Sequence, residues 1–227
     1  IIKKHSNEGL SIFLKLVLQT VIALVFFYIF LSSGNQPVVD IHTLGIKINF
    51  GWFYGMFLLF VLVATSNAVN ITDGLDGLSG GLSAIAFFAF GIITWGANWA
   101  AGHEEVAIFC FVLVGALVGF LVYNSHPAKV FMGDTGSLAL GAALASVAII
   151  TNHEITLVIV AGVFVVETLS VIIQWIALSK FHTKVLLMTP LHHHFEKLGW
   201  SEVDIVRMFW SFGLLLSMAA IAFGVWI

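Results

Sequence analysis

Two aspartates and two asparagines punctuate Asn67-Ala-Val-Asn70-Ile-Thr-Asp73-Gly-Leu-Asp76-Gly-Leu, at the edge of an otherwise apolar stretch. A membrane-spanning chain needs only apolar runs and short connectors. Carboxylates three residues apart among glycines therefore point to a ligand, either a cation or a phosphorylated substrate. If the segment is already helical, Asp73 and Asp76 share a face and lie roughly 5 to 6 Å apart. Like charges at that distance repel, so either one carboxyl keeps a proton or a hard cation neutralises the pair. Oxygen ligands beside flexible glycines suit magnesium with phosphate. The competing reading is that Thr72 or Asp73 simply caps the helix that follows.

Two further connectors carry the same kind of chemistry. In Asn124-Ser-His126-Pro-Ala-Lys-Val-Phe131-Met-Gly-Asp134-Thr-Gly-Ser137, Asp134 sits between glycines at a helix start. Backbone N–H groups and the positive helix terminus favour anions there, and ordered metal–phosphate geometry with them. A plain cap, with Phe131 anchoring at the interface, is the alternative. In Met188-Thr-Pro190-Leu-His192-His193-His194-Phe195-Glu196-Lys, Thr189 and Pro190 fit the cap and first position of a short helix. Leu191, Phe195 and Leu198 would then form an apolar stripe for the membrane interface. Consecutive helical histidines point about 100° apart, so they cannot share one metal, and nothing completes a zinc site. One or two could donate hydrogen bonds to a diphosphate or move a proton; a solvated or headgroup-facing run is the alternative.

The elements that must position these residues are membrane helices. The chain is 60 % hydrophobic and 9 % charged, against about 25 % charged in soluble domains. Seven apolar runs fall near 10–31, 52–69, 78–100, 106–124, 137–151, 155–178 and 203–227. Most match the roughly 20 residues a spanning helix needs, which predicts an all-α polytopic membrane protein of one domain over residues 1–227. If the runs alternate, one side receives Lys3, Lys4, Lys15, Lys129, Lys180, Lys184, Lys197 and Arg207 and the other only Lys47. The first side is then cytoplasmic, and it also holds Asp73, Asp76, Asp134 and the histidines. Outside, Val39 to Phe50 alternates apolar and polar across a His42-Thr43-Leu44-Gly45 turn, which predicts a small β-hairpin. Ser201-Glu-Val-Asp204 reads as a capping box opening the last run. Lone Cys110 excludes an internal disulfide, and no basic patch supports a nucleic-acid partner. Glu167, deep in the sixth run, should be protonated or hydrogen-bonded to groups such as Ser170 or Ser146.

The three polar runs, taken together with the unbroken His triplet, resemble the bacterial phospho-N-acetylmuramoyl-pentapeptide transferases, or translocase I. The likeness extends over nearly the whole chain, and the Asp-rich runs are shared with the wider polyprenyl-phosphate N-acetylhexosamine-1-phosphate transferases. It implies Mg²⁺-dependent transfer of phospho-N-acetylmuramoyl-pentapeptide from UDP-N-acetylmuramoyl-pentapeptide to undecaprenyl phosphate, giving UMP and lipid I for peptidoglycan synthesis. The setting it implies is the bacterial inner membrane, with the site on the cytoplasmic side and a homodimer in the bilayer. By the same resemblance Asp134 holds the metal and Asp73, Asp76, Asn70 and Asn124 line the nucleotide and phosphate site. Phe131 stacks near uracil, while Gln174, His192, His193 and His194 contribute from the other side, His193 and Asp73 counting with Asp134 among the catalytic groups. Lys15 matches a lysine near the active site, though ordinary snorkelling would equally explain it.

Family members have ten spans and an adjacent aspartate pair ahead of the region where this chain begins. These 227 residues alone are therefore expected not to make lipid I. Two rival readings remain: the related UDP-N-acetylglucosamine transferase, separated by donor choice, and a cation-coupled transporter. The latter would place acids near mid-span among broken helices rather than at inner helix ends.

Overall fold

The computed structural model describes residues 11–41, 45–96 and 103–223. Lys3 and Lys4, most of the expected hairpin turn (42–44) and the far ends of the third and last runs (97–100 and 224–227) lie outside these residues. Among the described residues, seven helices are long and apolar enough to cross a bilayer. They are α1 (Ile12–Ser32), α2 (Phe53–Thr72), α3 (Leu78–Gly96), α4 (Glu104–Asn124), α5 (Gly133–Ile150), α7 (Gly162–Phe181) and α9 (Glu202–Ile221). Short helices α6 (Glu154–Val160) and α8 (Leu191–Lys197) complete the helical set, and the protein is a multi-pass membrane protein. The expected hairpin forms: β1 (Val38–Ile41) pairs antiparallel with β2 (Ile46–Asn49), Val39 opposite Ile48.

α3 is the axis of the bundle, with 78 % of its span buried against 11 % for α1. Its sequence explains this, because Leu78, Leu82, Phe87, Phe90 and Ile93 alternate with Ser, Gly and Ala that let α4 and α9 approach closely. One apolar core runs from Ala23 of α1 to Ala220 of α9. The large apolar side chains left outside it, such as Phe60, Val122 and Trp175, face where lipid would lie.

The boundaries depart from expectation in two places that matter. The fifth run begins at Gly133 rather than 137, so Asp134 belongs to the first turn of α5. The sixth run is broken at Ala161, where Leu216 of α9 fills the space a side chain on Gly162 would need. The 20 residues of α7 reach about 30 Å by themselves, the thickness of a hydrocarbon core.

α2 and α5 meet most tightly at Gly141. A methyl there would lie 2.6 Å from both Ser66 Cα and the Thr65 carbonyl oxygen. The Ser66 hydroxyl donates to the Leu138 carbonyl (2.8 Å) at the same level, fixing the two helices in register toward the end that holds Asn70 and Asp134.

Candidate active site

Gly133 adopts φ +64°, a conformation that side-chain-bearing residues avoid, and this turn aims the first residues of α5 outward. Asp134 follows with its side chain half exposed. The Lys15 ammonium, in the first turn of α1, forms an ion pair with Oδ2 of Asp134. Asn70, in the last turn of α2, donates to Oδ1 of Asp134 (3.0 Å) and to the Ser137 hydroxyl (2.9 Å). Three helix ends thus hold one carboxylate by charge-assisted hydrogen bonds while leaving it open to solvent.

Asp73 closes α2 as its C-cap, so it does not cap α3. Residues 73–77 are not helical, and the expected pairing of Asp73 with Asp76 on one helical face does not occur. The like charge that Asp73 faces is Asp134. Burial, and secondarily that charge, push the Asp73 carboxyl up to about 6. A folded-state value above the ordinary 3.8 means that this group stabilises the fold at low pH and that the contribution is lost as pH rises through about 6. A cation shared by the two carboxylates would offset the loss. Thermal unfolding in detergent should show a midpoint that falls between pH 4 and 7 without Mg²⁺ and stays flatter with it. An equal decline in both conditions would contradict the shared-cation reading.

Asp76 turns the other way. Its Oδ2 accepts from Ala128 N–H (2.9 Å) and lies 3.3 Å from Nδ1 of His126, while Glu202 Oε1 accepts from Asp76 N–H (2.6 Å). Asn124 accepts from Gly77 N–H (3.1 Å) and donates to the Val130 carbonyl (2.8 Å). Asp76 and Asn124, expected to line the nucleotide and phosphate site, use these groups to stitch the first polar connector to the second. The stitching leaves Phe131, 74 % exposed, beside the Gly133–Asp134 turn, where a planar base could stack. His126 and Glu202 were not singled out from the sequence. Glu202 is hidden there by the expected capping box of Ser201 and Asp204, of which the N-cap bond forms (Asp204 N–H to Ser201 Oγ, 3.2 Å).

The third connector reaches the first through His192. Its ring is fully buried, and its Nε2 packs against Gly74 in the space a side chain there would occupy. Expected to contribute to the substrate site, His192 here joins the third connector to the first. Gln174 is also buried and accepts from Val185 and Leu186 N–H (3.1 and 3.0 Å), which organises the segment before α8. Glu167 finds its partner in His192 rather than Ser146 or the Ser170 hydroxyl. His194 accepts from Leu187 N–H (3.1 Å), and His193 is paired to Glu196 with 27 % of its side chain exposed; both are partly exposed, unlike His192. The helix begins one residue later than expected, with Pro190 at the cap. Leu191 and Phe195 pack on the protein core, only Leu198 being largely exposed.

The three connectors therefore converge at one end of the bundle. Among the described residues, Asp76, His126 and Glu202 also have ligand atoms close enough to share a metal. Those atoms already hold each other and two backbone N–H groups, which suits a tie between loops. The Asp134 site fits Mg²⁺ better on its donors: a solvent-open carboxylate, a second one beside it that resists ionising, and oxygen donors for a cation that usually takes one or two carboxylates, waters and substrate phosphates.

Residues 7–152 match the model of glycosyl transferase family 4. The chain is 51 % identical over 221 residues to a phospho-N-acetylmuramoyl-pentapeptide-transferase of Geobacillus thermodenitrificans, covering 97 % of this chain and 67 % of that protein. It is 53 % identical over 221 residues to the one of Halalkalibacterium halodurans, with the same coverage. To that of Bacillus thuringiensis it is 52 % identical over 225 residues, covering 98 % of this chain and 68 % of the relative. The chain spans about two thirds of the length of these relatives. With that identity over 97 % of its length, the chain belongs to glycosyl transferase family 4, among its phospho-N-acetylmuramoyl-pentapeptide-transferases.

Proposed function

We propose that the Asp134 site transfers phospho-N-acetylmuramoyl-pentapeptide from UDP-N-acetylmuramoyl-pentapeptide to undecaprenyl phosphate, releasing UMP and forming lipid I in peptidoglycan synthesis. The reading places the site on the cytoplasmic face of the bacterial inner membrane, requires Mg²⁺, and has the protein act as a homodimer. The observation that carries it is the Lys15–Asp134–Asn70 cluster at three helix ends, set above an apolar cavity. That cavity, about 230 Å³, runs from Lys15 between α1, α2 and α5 past Leu18, Ile22, Leu62 and Leu138. A cation at the mouth of an apolar groove suits a phosphate on a polyprenyl chain, and an open rim suits a soluble nucleotide.

Phosphoryl transfer asks mainly for placement and for stabilisation of charge spread over phosphoryl oxygens. Lys15 would supply positive charge to a phosphate, Phe131 a stacking face for uracil, and His193 a hydrogen-bond donor. Asp134 with Asp73 would hold Mg²⁺, which when bound neutralises diphosphate charge and lowers the cost of UMP leaving. Partial exclusion of water by lipid and protein strengthens each of these attractions.

Membranes containing the full-length protein should exchange labelled UMP into UDP-N-acetylmuramoyl-pentapeptide in the presence of lipid phosphate, and chelation of Mg²⁺ should stop the exchange. Exchange into UDP-N-acetylglucosamine instead would favour the related hexosamine transferase. Cation flux without exchange would favour transport, a reading against which Glu167 argues, being tied to His192 rather than lining a path.

A further inference from the structure

We infer that Glu167 is a positioning residue for the proposed transfer, acting through His192 to set both the Asp73–Gly74 turn and the His193 ring. The inference rests on the reading above. A carboxylate with no exposed side-chain surface has to be met by donors, and Glu167 is met twice by one residue. Its carboxylate accepts from the backbone N–H of His192 (3.2 Å to Oε1) and lies 3.1 Å from Nδ1. The first bond satisfies a first-turn N–H of α8 that the helix itself leaves open. The second fixes the ring plane. Together they clamp the start of α8 to α7 and leave Nε2 pointing away from Glu167.

Nε2 is buried and has no hydrogen-bond partner among the described residues. It packs into the space beside Gly74 where a methyl group would overlap it. On its other flank the His192 ring stands edge-on to His193, centroids 4.2 Å apart. One imidazole is thus a spacer between the turn that presents Asp73 and the partly exposed His193, and Glu167 fixes that spacer. Glycine is needed at position 74 for this contact rather than for backbone freedom, because Gly74 is absent from the positive-φ positions.

The test uses the full-length protein, with kcat and KM for UMP exchange and hydrogen–deuterium exchange over 72–78. Glu167→Ala should lower kcat about 100-fold, the scale of an ångström-sized misplacement, with KM for the uridine substrate little changed and faster hydrogen exchange over 72–78. Glu167→Gln should recover most of kcat, since an amide can accept from the backbone N–H and donate to Nδ1 of the other ring tautomer. Gly74→Ala should also lower kcat, yet cost nothing further once His192→Ala has emptied the space. The inference is overturned by a folded Glu167→Ala with wild-type kcat and unchanged exchange over 72–78, or by a Gly74→Ala loss that persists undiminished in the His192→Ala background. If Glu167→Ala does not accumulate, Glu167→Gln and the Gly74/His192 pair decide alone. Absence of UMP exchange in the wild-type protein would instead sink the proposed function, and the hydrogen-exchange comparison would still judge the clamp.

Discussion

Asp134→Asn should reduce UMP exchange by about 100- to 1,000-fold or more, the range seen when one charge-stabilising group is removed from a preorganised site. The substitution keeps the shape of the side chain and an oxygen able to accept from Asn70, so the fold should survive. It removes the charge that holds the Lys15 ammonium in place and the only carboxylate in the first turn of α5. Asp134→Glu should fall between, because the charge is kept but displaced by about one methylene from a cluster built for the shorter side chain. Activity of Asp134→Asn within tenfold of wild type, in protein shown by thermal unfolding to be folded, would remove Asp134 from the centre of the site.

Gly141→Ala is expected to lose both stability and activity although it lies well below the site. The added methyl would meet backbone of α2, Ser66 Cα and the Thr65 carbonyl oxygen at 2.6 Å and Ser66 N at 3.0 Å, none of which can swing aside. Ordinary carbon contacts need about 3.5 to 4 Å, so the helices must part. Overpacking of this kind costs about 1–3 kcal/mol. The shift propagates along α2 to Asn70, whose 3.0 Å bond to Asp134 spans the same pair of helices. A misplacement near 1 Å would lower kcat by roughly 100-fold. Gly115→Ala is the control: a methyl on that helical glycine meets nothing within 4 Å, so it should leave activity intact and stability unchanged or slightly higher. Equal behaviour of the two variants would show that the α2–α5 contact does not set the site.

The features legible in the sequence were those carried by local composition. The seven spans are marked by long, predominantly apolar runs, and the hairpin by alternation from Val39 to Phe50. The site residues were recognisable as a set because polar groups are conspicuous at the ends of apolar helices. Their individual duties were not. Asp73 and Asp76 are three residues apart, yet one faces Asp134 and the other Ala128 and His126, because the chain leaves the helix between them. Asn124 also bonds Gly77 N–H and His192 packs on Gly74, each reaching the first polar connector from another part of the chain. Periodicity carries no trace of such pairings. Glu167 was conspicuous by its depth in an apolar run, but its partner lies 25 residues away on another element.

The ion pair between Lys15 and Asp134 joins residues 119 positions apart. A ribosome adding about 5–20 residues per second needs roughly 6 to 24 seconds to cover that stretch. During biosynthesis the lysine must therefore wait at the membrane rim among water and headgroups while the intervening helices are inserted, and the binding pocket cannot exist before α5 has emerged. Assembly of the reactive end is a late event in the life of the nascent polypeptide.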